Sequence, residues 1–489
     1  VKLGPFQASV DRLGFTLDMA FRDGNLGFMD LSLGFKPPNG LGLLLDATVV
    51  KGGGYLYIDP AKGEYAGVLE LKIDLPAVKI GIKAIGILTT KMPDGSDGWA
   101  LLLLIYGQFP PIQLSWGFTL TGLGGMIGLQ HGVSIDALIS GMSSGVLDDI
   151  LFPANPVADA PRIINRLRTV FPVTPRALVL GPMVEIGWGT PNIVTIRMGV
   201  LLQLDNALGQ GDQPISFSRV AILGQVLAQL PPGVKADLTV LKLLVDFVGT
   251  IEVNPFRIGF VARLRDSYAG KKPLKVDFGG MLVVQAVFGD RPSFVIAAGG
   301  FHPDFRDIPP GLPSPIDRLF AAFPINILKI RIEAYFAVTP ASIQAGANAS
   351  LKASLGPVDI EAKLGFDAIC YLVPSFRFDV KIYGSASLKF KGHNLAGIAF
   401  EFRLEGPGRW RARGFGKFSI LFWDIEVPFD ESWGENVQVE QQSTSAQALI
   451  AGELESPGNW TAQMPIGIDP LVNIARIDGG EKLLAHPLG

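Results

Sequence analysis

Between residues 358 and 430 the chain alternates apolar and polar side chains with a period of two, and this constrains the fold more than any other feature. Val358, Ile360, Ala362, Leu364, Phe366 and Ala368 alternate with Asp359, Glu361, Lys363, Gly365 and Asp367. Phe376, Phe378, Val380 and Ile382 alternate with Arg377, Asp379, Lys381 and Tyr383. Ile398, Phe400, Phe402 and Leu404 alternate with Ala399, Glu401, Arg403 and Glu405. Successive side chains on a strand point to opposite faces, so each segment has one greasy face and one charged face. Side by side, the segments predict an antiparallel sheet that is wet on one side only.

The same punctuation runs through most of the chain. Its 59 glycines and 36 prolines fall between apolar runs, as expected for many short strands separated by turns. The charged fraction is 18%, below the usual ~25%, and mean hydropathy is +0.34. Either much of the surface is apolar or some strands are buried on both faces. Residues 99–108, apolar on both faces, predict a central strand covered on both sides. The period changes at 134–171. Ser134 is placed to cap a helix whose stripe is Ile135, Leu138, Ile139 and Met142. A second short helix is expected at 144–151. Asp159 or Ala160 caps a third, with Pro161 in its first turn, Ile163, Ile164, Leu167 and Val170 inward, and Arg162, Arg166 and Arg168 on the other side, a solvated face or a site for anionic headgroups or a partner. Residues 314–323, with Ile316, Leu319, Phe320 and Phe323, predict another short helix. The expected architecture is mainly β: an extended, curved antiparallel sheet, trough or open barrel-like, over residues 1–434, with short helical inserts capping or plugging it. Residues 435–448 read as a linker, and 449–489 as the start of a separate small module.

Composition narrows the function classes. A net charge of −3 argues against a nucleic-acid partner and gives no polybasic attraction to anionic lipid. A single cysteine, Cys370, rules out a disulfide framework; on the greasy face it is most simply core. No apolar run reaches the ~18 residues that a spanning helix needs. The start at Val1 and the apolar end suggest a segment of a longer polypeptide, so localisation is left open. The four histidines lie far apart and lack metal-ligand spacing. His302 is the most interesting of them, since Asp304 stands where it could orient the ring. Asp148 and Asp149 are neighbours on a helix and point about 100° apart, so they do not share a site. Asp94, Ser96 and Asp97 read as a hairpin tip rather than a calcium loop. No phosphate loop or nucleophile elbow is present. The expectation is a chain with no catalytic, metal or cofactor site, and no enzyme.

Several short motifs together resemble one large bacterial family, domain of unknown function 6603. They are Gly53-Gly-Tyr-Leu-Tyr-Ile-Asp-Pro60, Phe109-Pro-Pro-Ile-Gln-Leu114, Ile150-Leu-Phe-Pro-Ala-Asn-Pro156, Ala160-Pro-Arg-Ile-Ile164, Gly187-Trp-Gly-Thr-Pro191, Gly300-Phe-His-Pro303, and the run from Ala412-Arg-Gly to Phe418-Ser-Ile-Leu-Phe422. The resemblance covers about residues 40–434. It implies a β-rich domain of very long bacterial proteins, some encoded near contractile injection systems, and brings no activity or site residues.

Function therefore turns on the greasy face. As a concave binding surface it would hold lipid or another apolar small molecule along Phe366, Phe376, Phe378, Phe400, Phe402 and Leu404, with Leu103 and Ile105 contributing from the first third of the chain. Burial is worth ~0.8 kcal/mol per CH₂, so this binding needs no polar chemistry. The alternative is a structural or interaction scaffold, with that face as ordinary core and protein partners in a larger assembly. An outer-membrane barrel fits the alternation, but not the doubly apolar strands or the helical insert.

Overall fold

In the computed structural model, residues 2–434 are described except 4–5, 12–13, 23–28, 37–39, 47–49, 61, 76–77, 209–214, 235–237, 272–273, 290, 374, 408 and 422. Residues 452, 453, 455 and 456 are described beyond them. The chain divides into two compact units, Val1–Gln438 and Val439–Gly489. The expected linker at 435–448 and most of 449–489 lie outside the described residues.

The first unit is a strand meander. Its opening strands are β1 (Lys2–Leu3), β2 (Phe6–Asp11), β3 (Gly14–Ala20), β4 (Asp30–Lys36), β5 (Gly40–Asp46), β6 (Val50–Asp59), β7 (Glu64–Leu75), β8 (Val78–Lys91), β9 (Asp97–Gln113) and β10 (Phe118–His131). Three helices follow: α1 (Ile135–Gly141), α2 (Val146–Ile150) and α3 (Ala160–Val170). The meander resumes with β11 (Val173–Trp188), β12 (Val194–Asp205), β13 (Ser216–Leu230), β14 (Leu241–Glu252), β15 (Arg257–Ala269), β16 (Val276–Val287), β17 (Ser293–Ala298) and β18 (Leu319–Ile325). It closes with β19 (Leu328–Thr339), β20 (Ser342–Leu355), β21 (Val358–Tyr371), β22 (Arg377–Phe390), β23 (His393–Gly406), β24 (Trp410–Ile420) and β25 (Trp423–Trp433).

All but β3 and β4 belong to one antiparallel sheet of 23 strands, while β3 and β4 pair with each other. From β5 onward each strand pairs with the next in the chain, with one exception. β17 and β18 both lie between β16 and β19, one beside each end, and run in the same direction. They are one strand interrupted by the segment 299–318. The helix expected at 314–323 is therefore absent: Leu319–Ile325 is β18, whose Ala321 and Phe323 stand opposite Ile332 and Ile330. The apolar spacing that suggested a helix is satisfied by ladder partners on both sides.

The helices form where their caps begin them. The Ser134 hydroxyl accepts from the Ala137 amide at 3.3 Å, and Asp159 stands at the N-cap of α3 ahead of Pro161. Leu138, Ile163, Ile164 and Leu167 are buried in a core that also takes Val68, Ile85, Leu104, Leu223 and Val283 from the sheet. These contacts fix the curvature. Arg168 of α3 lies over the Tyr57 ring of β6 and pairs with Glu64 of β7 at 3.0 Å, while Asp148 of α2 pairs with Arg265 of β15 at 2.9 Å. β7 and β15 are eight strand steps apart, roughly 38 Å in a flat sheet. The longest helix of the layer, α3, is only about 16 Å long. The sheet therefore curls around the helices, and their side is the concave one.

Segment 299–318 lies on the same face. The Gln344 side chain accepts from the His302 amide at 2.7 Å, and the Arg318 guanidinium donates to the carbonyls of Gly299 and Phe301. Leu312 and Ile316 of this segment pack against buried residues of the sheet.

Candidate functional site

The strand registers sort every side chain to one of two faces. On β9, Leu102, Leu104 and Tyr106 face the helices and are fully buried, while Leu101, Leu103 and Ile105 face away. Tyr106 donates to the Pro153 carbonyl at 2.8 Å, and the Lys83 ammonium donates to the carbonyls of Pro153 and Ala154. Burial pushes the Lys83 pKa down, with Glu70 acting in the opposite direction. The strand expected to be covered on both sides is thus covered on one. Ile105 stays 46% exposed.

Followed across the sheet, that face keeps its character. Glu185 stands opposite Arg197, which stands opposite Gln225, then Asp246 and Arg263, all on the helix side. Further along, Arg331, Ser350 and Lys363 continue that side, and so do Asp367, Lys381, Arg403 and Arg413. Among the registered pairs of β6–β24, apart from the hairpin-tip pair Lys91–Asp97, every Asp, Glu, Lys and Arg stands on the inward face. The outward positions are Leu, Ile, Val, Phe, Ala and Gly almost throughout. Many are open to solvent, among them Leu123 at 51%, Leu364 at 58% and Ile398 at 56%. One outward charge appears at the end of the sheet, Glu431 on β25 opposite Ala412.

Phe366, Phe378, Phe400, Phe402 and Leu404 all face outward on β21–β23, and the registers bring them together: Phe366 and Phe402 flank Ile382, and Leu404 stands opposite Val380. The Phe402 ring stacks on Phe429 at 6.1 Å. The Phe400 ring folds over Gly384, where a Cβ would come within 2.5 Å of it. Phe376 precedes β22 and is half-buried. Leu103 and Ile105 share the outward face but sit on β9, many strands away, so the eight residues do not form one site. A shallow apolar depression of about 430 Å³ does open beside Phe400. It is lined by Ala349, Ala362, Gly384 and Ala386 and by Ile330, Leu364 and Ile398. Sequence reasoning missed the extent of the outward face on β10–β20, because those strands carry apolar residues on the inward side too.

The expectation of a greasy concavity needs correction. The concave side holds the helices and the charges, and around β7–β15 the greasy face is the convex one. The arginines of α3 also differ from expectation. Arg166 pairs with buried Asp149 at 2.6 Å and donates to the Gly145 and Ser144 carbonyls, and Arg168 anchors α3 to β6 and β7, so only Arg162 is mainly solvated.

Asp148 and Asp149 diverge, one to Arg265 and the other to Arg162 and Arg166. At His302 the ring Nδ1 accepts from the Asp304 amide at 3.1 Å, whereas the Asp304 carboxylate reaches toward Arg403 at 3.6 Å. The carboxylate therefore does not orient the ring. Ser96 donates to Asp94 within the hairpin tip. Cys370 is half-buried on the outward face opposite Ile343, and burial pushes its thiol pKa up. Among the described residues, no group of three or more His, Cys, Asp or Glu gathers, and no helix is long and apolar enough to cross a membrane.

The chain matches a family of unknown function, DUF6603, over residues 1–489. The chain belongs to the DUF6603 family. No curated protein matches it.

Proposed function

We propose that this chain is a non-enzymatic lipid-holding sheet, with acyl chains lying against its outward face. The observation that carries the reading is the segregation of charge: ionic side chains occur on almost every strand and stand inward on β6–β24. Soluble monomers rarely expose contiguous apolar patches beyond a few hundred Å². A face of this kind gains ~0.8 kcal/mol for each CH₂ it removes from water. Single lipid molecules and the hydrocarbon of a bilayer offer the same chemistry. Alternation of apolar-out and polar-in is also what strands in contact with lipid require.

The test is organic extraction of protein purified without detergent, followed by mass spectrometry, alongside flotation with phosphatidylcholine vesicles. Co-extracted lipid supports carried molecules, and flotation supports a bilayer-facing sheet. If neither occurs, the reading fails. Phe400→Asp should keep the far-UV circular dichroism of the parent, because Phe400 is 42% exposed, and should lower lipid recovery or flotation severalfold.

A second reading, an interaction scaffold, is favoured by β25. Among the described residues this strand has one registered neighbour, β24, and all eleven of its residues are exposed. An open edge accepts a strand from another chain. Concentration-dependent oligomers that persist without lipid would favour this reading over the first.

A further inference from the structure

Between α1, the inward faces of β13–β16 and the residues at 311–313 lies a cavity of about 340 Å³. We propose that it binds a small organic carboxylate, held by Arg257 and Arg219.

Four charged groups line the cavity: Arg219, Arg257, Glu252 and Asp136. Arg219 engages Glu252 at 3.5 Å and donates one terminal N–H to the Val133 carbonyl at 2.6 Å. Asp136 is exposed at the start of α1. Arg257 stands directly across the ladder from Glu252, yet that carboxylate is taken by Arg219. The Nε atoms of both arginines are buried and have no acceptor. Gly311 closes against the Arg257 guanidinium, where a Cβ would come within 2.9 Å of Nη1, so the head group is held in place from the loop side. Buried guanidinium N–H groups without an acceptor are costly, and a carboxylate oxygen is the acceptor they suit best.

The rest of the wall is mixed: Ser134, Thr250 and Gln285 line the cavity beside Ile139 and Leu312, and polar surface predominates. Inorganic phosphate would bring a second negative charge toward Glu252. The volume, about 340 Å³, lies at the lower end of the ~300–1,000 Å³ of small-molecule sites, which suits a compact acid rather than a long chain.

The experiment is isothermal titration of the whole chain with phenylacetate and 4-methylpentanoate, compared with 2-phenylacetamide and inorganic phosphate. The acids should bind saturably, and the neutral amide at least about tenfold more weakly, since it leaves the guanidinium groups without a charged acceptor. Arg257→Met should cause a loss of similar size. Ile139→Trp, which fills the cavity from α1, should block binding while leaving the far-UV spectrum unchanged, and it serves if Arg257→Met does not fold. The proposal is overturned if the acids do not bind, or if the amide or phosphate binds as tightly as the acids. It is also overturned if folded forms of the variants bind like the parent.

Discussion

The strands β6–β16 and the strands β20–β25 use the same alternation to opposite ends on their inward face. In the first group the helices cover the middle of that face, and charges beneath them are held in buried partnerships. Asp246 is fully buried and accepts from Arg265 at 2.9 Å and from Gln225 at 3.0 Å; Glu185 takes Arg197 at 2.7 Å. In the second group no helix among the described residues covers the face, and away from segment 299–318 charges form cross-strand pairs open to water. Lys381–Glu401 at 3.1 Å, Lys389–Glu361 at 2.7 Å and Lys417–Asp424 at 2.8 Å are all at least about one-third exposed on both sides. The outward face does not change between the groups. What is constant along the sheet is therefore the greasy side, and the charged side adapts to whatever lies on it.

The sharpest way to break this comparison is to remove one carboxylate from each group. Asp246→Ala leaves the Arg265 guanidinium buried without its main partner, and losing one member of a buried pair costs about 3–5 kcal/mol. Glu401→Ala removes an exposed partner, and such pairs contribute about 0–1 kcal/mol. Chemical denaturation followed by circular dichroism should separate the two variants by several kcal/mol. Equal losses would mean that the two faces do not differ in solvation as described.

The two faces can be compared on apolar residues as well. Leu138 is completely buried between α1 and the sheet, so Leu138→Ala should cost about 2–5 kcal/mol through lost burial and the cavity left behind. Ile398 is 56% exposed on the outward face, so Ile398→Ala should change stability by less than about 1 kcal/mol in the lipid-free protein. If the Ile398 variant were instead as unstable as the Leu138 variant, the outward face would be covered in solution, and the lipid reading would lose its surface.

The difference between the groups also explains what the chain reveals before it is folded. Residues 358–430 show their faces openly because Lys381, Arg403 and Glu401 need water on one side while Ile382 and Phe402 do not. Residues 99–108 hide theirs: Leu102 and Leu104 are apolar because a helix covers them, and Leu103 and Ile105 are apolar on the opposite, uncovered side. Period two alone cannot say which apolar face is core. The same ambiguity misplaced 314–323, where Leu319, Phe320 and Phe323 fit a helical stripe as well as a strand. Only the register with β16 and β19, set by residues far away in the chain, decides between them. The Arg219–Arg257 cavity was illegible for a related reason. Its residues come from β13, β15 and α1, and no local motif joins them.

The smallest expected effect concerns two histidines, one in each setting. The His131 ring lies between β10 and α3, with Nδ1 on the Phe171 carbonyl at 2.7 Å and Nε2 buried without a partner. Burial lowers its pKa below the ordinary histidine value, and the bond to Phe171 opposes the shift. His302 is shifted in the same direction by burial, but Asp367, Asp304 and Asp379 pull against it. A depressed folded pKa means that, as pH falls through ~6.5, the unfolded chain takes up a proton that the folded site resists. The contribution of each histidine to stability is therefore fully present above that pH and is lost below it. The denaturation midpoint should hold steady from pH 8 to 7 and decline toward pH 5.5. His131→Gln should flatten the decline more than His302→Gln, because no carboxylate offsets the burial of His131. A larger flattening from His302→Gln would place the more strongly desolvated ring under segment 299–318 rather than beside the helices.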